Sequence, residues 1–235
     1  MTRGRETPGS PALMLLRDEL LGFASSRVML VLWAVLPALT ILGYFVLPES
    51  LAGATGRGPL SATAFMALIM SSVAGTVAAL LVGVDIVSER NRNVYDLLLI
   101  RPLRREHILW AKFGAVTISV SVACIVSLSV GLALDALLGA PVAGAIGDAL
   151  RALASMVGVI ALSAAVGVFF GMVTRSILVA VILILYIGQN LAFVPMLPGL
   201  LGILPDRFWL TMSITAALVG VIMWLAGVLF RRSEP

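Results

Sequence analysis

Five side chains in this sequence could do acid–base or metal chemistry if brought together: Asp85, Glu89, Asp96, Glu106 and His107. A general acid or base must sit within hydrogen-bond reach of the proton it moves. Their spacing matches no catalytic motif. There is no HExxH, no CxxC and no GxSxG. No GxxxxGK[ST] loop is present to cradle a nucleotide phosphate. His107 is the only histidine and lies between Glu106 and an apolar run, the setting of an interfacial residue. Cys124 is the only cysteine and lies inside an apolar segment, so it reads as a small buried hydrophobe. The chain is therefore expected to be no enzyme by itself, and to bind no metal or cofactor.

These residues belong to one stretch, Asp85 to Lys112, DIVSERNRNVYDLLLIRPLRREHILWAK. It holds six of the sixteen basic residues and four of the twelve acidic ones. The rest of the chain is apolar. Hydrophobic residues make up 60% of the sequence and charged ones 12%, about half the usual share for a soluble domain. Mean hydropathy is +1.10. The net charge of +4 does not point to nucleic acid, because the basic residues flank apolar segments and join no aromatic stacking platform.

Six apolar segments can position the charged stretch: residues 28–47, 62–87, 108–134, 150–173, 177–194 and 210–230. Crossing a bilayer takes roughly 20 apolar residues, and backbone groups in lipid must be satisfied within the segment. The pattern predicts an all-α integral membrane protein with six transmembrane helices over residues 28–235. The first apolar run is too long for the core of a secretory leader and reads as a retained span. Basic residues favour the cytoplasmic side. With both termini cytoplasmic, thirteen basic residues lie inside and only Arg57, Arg151 and Arg207 outside.

Residues 1–27 form a cytoplasmic leader. Within it, Leu13, Leu16, Leu20 and Phe23 recur at helical spacing, with Arg17, Asp18 and Glu19 between them. This predicts an amphipathic helix lying in the membrane interface, with Ser10 as its cap and Pro11 in its first turn. Residues 48–61, 135–149 and 195–209 are expected as outer loops, and the prolines of the last could turn it back into the membrane edge. Gly75, Ala79 and Gly83, and Gly167 and Gly171, have the spacing of close helix contacts, more often within a chain than between copies. Tyr186, Gln189, Asn190 and Ser121 are polar groups within spans. They suit either interhelical hydrogen bonds or a substrate path. Ion coupling would need ionisable groups deep in the membrane, and none sits convincingly at a midplane. An external motor is the better expectation.

The stretch after the second apolar segment resembles the signature loop of ABC-2 type permeases, the membrane subunits of ATP-driven exporters. The resemblance rests on Glu89-Arg90, Asp96-Leu97-Leu98, Pro102-Leu103-Arg104-Arg105 and Lys112. The family often has Gly-Thr where this chain has Asn93-Val94, and Glu where it has Asp96. The resemblance implies that Val94 to Ile100 is a coupling helix docked on a separate ATP-binding subunit. Glu89, Arg90, Val94, Tyr95, Asp96, Leu97, Leu98, Pro102, Arg104 and Arg105 would serve that contact, with Arg175 in a second, smaller one. ATP and magnesium would sit on the partner, and a second permease copy or relative would complete the path. The cargo would be hydrophobic or amphipathic. An ATP-independent carrier or channel, or a membrane enzyme acting on lipid, remain as alternatives.

Overall fold

The computed structural model describes residues 11–46, 62–92, 105–137, 142–188, 190–191, 194 and 208–232. Among these residues every element is helical and no strand occurs. The helices are α1 (Pro11–Ala24), α2 (Arg27–Val46), α3 (Ala62–Asn91), α4 (Arg105–Leu137), α5 (Val142–Val173), α6 (Ile177–Leu183) and α7 (Phe208–Arg232). A single π-helical turn, Ile184–Gly188, continues α6.

Four helices are long and apolar enough to cross a membrane: Ile69–Asn91, His107–Leu134, Ala149–Val173 and Phe208–Phe230. Met14–Ala24 and Arg27–Gly43 meet at a 65° bend and together meet the same test. The protein is therefore membrane-embedded, with four to five candidate spans among the described residues. Ile177–Gly188 is apolar but shorter than a crossing requires. Most of the predicted 195–209 loop lies outside the described residues.

Several boundaries differ from the sequence reading. α3 runs to Asn91, four residues beyond the predicted end, because Asp85 and Glu89 find a partner inside the bundle. α5 begins at Val142, so much of the predicted 135–149 loop is helix. Ala and Gly there satisfy their backbone groups by extending the helix.

α5 is the central element. Ile160, Leu162, Ala164, Ala165 and Val168 are fully buried, and the helix packs on α3, α4 and α7. Its contact with α3 is the closest. A methyl group added to Gly167 would collide with the Ala79 carbonyl oxygen, and one on Gly171 would meet the Gly83 oxygen at 3.0 Å. One on Gly75 would meet Ser163 Oγ at 2.7 Å. The small residues noted in the sequence thus face each other within the chain.

The outside of the bundle is as apolar as its core. α2 buries Met29, Leu32 and Leu36 and exposes Leu30, Val31, Trp33 and Leu42. α7 likewise exposes Val221, Trp224 and Leu225. In water such surfaces would be sticky patches; in hydrocarbon they are the expected exterior. Polar side chains inside are largely paired. Thr40 Oγ1 and Ser127 Oγ lie 2.5 Å apart and both within reach of the Leu36 carbonyl beside Pro37, so one hydroxyl donates to the carbonyl and the other to its neighbour, joining α2 to α4.

α1 is two-faced. Its inward face carries Leu15, Leu16, Glu19, Leu20 and Phe23 and packs on α4, with Leu16 over Gly114. Met14, Arg17, Asp18 and Leu21 face outward. The half-buried apolar stripe thus meets α4.

Candidate functional site

One end of the bundle gathers its ionisable groups. Lys112, about two turns into α4, is only 2% exposed. A lone ammonium could not remain charged there. Its Nζ donates to Asp85 Oδ2 at 2.5 Å and to Glu89 Oε1 at 2.8 Å, and lies 3.2 Å from Glu19 Oε1. Asp85 and Glu89 are four residues apart on α3 and so share a face. Glu19 comes from the inward face of α1. One ammonium therefore joins three helices.

The node holds three carboxylates against one ammonium, a formal excess of two negative charges. Glu89 Oε2 is buried with no hydrogen-bond partner among the described residues. A cavity of about 690 Å³ opens beside the node, with Glu19, Asp85, Glu89 and Lys112 in its lining. Lys112 turns inward because three carboxylates meet it. The sequence reading missed Glu19 as a partner. The signal was there, since Glu19 shares the helical face of Leu16, Leu20 and Phe23.

A second set of contacts lies at the same end. Arg90 Nη1 donates to the Met172 carbonyl at 2.7 Å, and Asn91 Nδ2 donates to the Arg175 carbonyl at 3.3 Å. The end of α3 is thereby tied to the turn between α5 and α6. Glu89 and Arg90, adjacent in sequence, serve different neighbours: the first bonds α4, the second α5. The side chain of Arg175 is exposed beside this tie.

Val94, Tyr95, Asp96, Leu97, Leu98, Pro102 and Arg104 lie outside the described residues, as does Gln189. Arg105 opens α4. Tyr186 is 79% exposed on the bundle's exterior, within the π-helical turn, and its carbonyl accepts from Asn190 Nδ2 at 2.6 Å. Ser121 Oγ is buried without a hydrogen-bond partner among the described residues, as is Thr117 Oγ1 one turn earlier. Cys124 is fully buried, as its apolar setting predicts. Among the described residues no group of three or more His, Cys, Asp or Glu side chains is arranged to hold a metal ion. At the node, the Lys112 ammonium occupies the place a cation would take.

The fold and this node define a polytopic helical membrane protein with an ion-paired cluster at one end of its bundle. No family model and no curated protein matches the chain.

Proposed function

We propose that this chain is the permease subunit of an ABC-2 type exporter, which moves a hydrophobic or amphipathic molecule across the cell membrane. In this reading six spans cross the bilayer with both termini cytoplasmic. Residues 28–47 make the first crossing, with α1 at the cytoplasmic interface before them, and residues 177–194 make the fifth. A separate ATP-binding subunit hydrolyses ATP with magnesium, and its closure is passed to the spans through residues 89–105. A second permease copy or relative completes the path, which alternates its access between the two sides.

The observation that carries this reading is the pair of ties from Arg90 to Met172 and from Asn91 to Arg175. The end of α3, from which the expected coupling segment departs, is tied to the turn after α5, the second expected contact. A motor docked there could push on both. The resemblance of the segment from Glu89 to Lys112 to the signature loop of such permeases supplies the identity of the motor.

The reading is tested by a photo-crosslinker at position 95 in cells that express the protein. The expected product joins the chain to a protein with a GxxxxGK[ST] loop and ATPase activity. Asp96→Arg should leave membrane insertion intact while removing that product and export. Crosslinks to lipid alone, or an unchanged ATPase product in Asp96→Arg, would overturn the assignment.

A further inference from the structure

We infer that the cavity beside Lys112 is a binding site for a lipophilic monocation, an apolar molecule carrying one diffuse positive charge. Its volume of about 690 Å³ falls within the usual range for small-molecule sites. The lining has two characters. Phe23 of α1 and Val77, Leu81 and Val84 of α3 supply apolar wall, and Asp85 and Glu89 supply charge at one end. From Val77 to Val84 the α3 wall runs for about 10 Å at 1.5 Å per residue, long enough for an aromatic or aliphatic body.

Charge decides which ligand fits. Among the described residues the one cation in the lining, Lys112, is already held by Asp85 and Glu89, with Glu19 close by. It has little left to offer an anion. The carboxylates outnumber it, and Glu89 Oε2 is buried without a donor among the described residues. A cation entering the cavity would meet this excess in a medium less polar than water, where its attraction is stronger. An anion or a phosphate-bearing lipid headgroup would meet repulsion from the same groups. A compact, strongly hydrated cation gains nothing from the apolar wall, whereas a cation with apolar substituents gains from both ends.

This inference stands apart from the transport reading, because binding is measured without any ATPase. The probe pair is tetraphenylphosphonium and tetraphenylborate, nearly the same shape with opposite charge. Equilibrium dialysis against the purified full-length protein in detergent, corrected for empty micelles, should show saturable binding of the phosphonium and none of the borate. Glu89→Gln keeps the shape and removes the charge, and should weaken phosphonium binding roughly tenfold, the loss expected for one charge-assisted contact. Val84→Trp keeps every charge, fills the cavity and should abolish binding. Equal binding of both ions overturns the inference, as does native binding by Val84→Trp. Loss in Val84→Trp with native binding by Glu89→Gln overturns the role given to charge.

Discussion

Lys112 carries an ammonium to a position that is almost fully shielded, and three carboxylates make that position tenable. Removing the ammonium strands the carboxylates beside one another in partial burial. Lys112→Met should therefore destabilise the protein by about 3 kcal/mol, the low end for breaking a buried ion pair because its partners keep some solvent contact. The check is a thermal melt of the detergent-solubilised protein. Lys112→Met combined with Asp85→Asn and Glu89→Gln should recover much of that loss, since the repelling charges go with their partner. A triple variant as unstable as Lys112→Met would show that the ammonium acts through something other than these carboxylates. At this scale the sequence was half legible. Asp85 and Glu89 stood out by their i, i+4 spacing. Their partner lay more than twenty residues away and Glu19 farther still, and spacing along a chain carries no information about such distances.

At the scale of elements, close helix contact depends on what is missing from the surface. α3 and α5 approach until backbone nearly touches backbone, which Gly83, Gly167 and Gly171 allow. Gly167→Ala should cost about 1–3 kcal/mol, the usual penalty for overpacking, because its methyl would fall on the Ala79 carbonyl and backbone cannot turn aside. Gly220→Ala on α7 meets nothing within 4 Å, so it should leave the melting temperature unchanged or slightly raised. A shared melting temperature for the two variants would sink this account of the contact. Apolar length announced the helices themselves: each of the six segments coincides with helical structure. Their ends were less legible, because a helix such as α3 continues past its apolar run when a partner receives its charges. The face of α1 was legible too, but amphipathicity alone does not say whether lipid or protein covers the stripe. Here α4 meets its half-buried side.

For the molecule as a whole, the arginine distribution predicts which end faces the cytoplasm. A cysteine in place of Arg104 should react with a membrane-impermeant maleimide only after the cytoplasmic side is opened. Cys124 is fully buried and adds no background to that assay. Labelling in intact cells would invert the topology. The contact between α3 and α5 also bears on how such a bundle could move. Two helices joined by side chains can slide, because side chains change rotamer. Two helices joined along bare backbone have no such slack. α3 and α5 should travel as one stiff beam, with the Arg90–Met172 tie as a rivet at its end. Force applied to that end would arrive at the far end undiminished, and the give in the structure must lie elsewhere, among the helices that touch this beam only through their side chains.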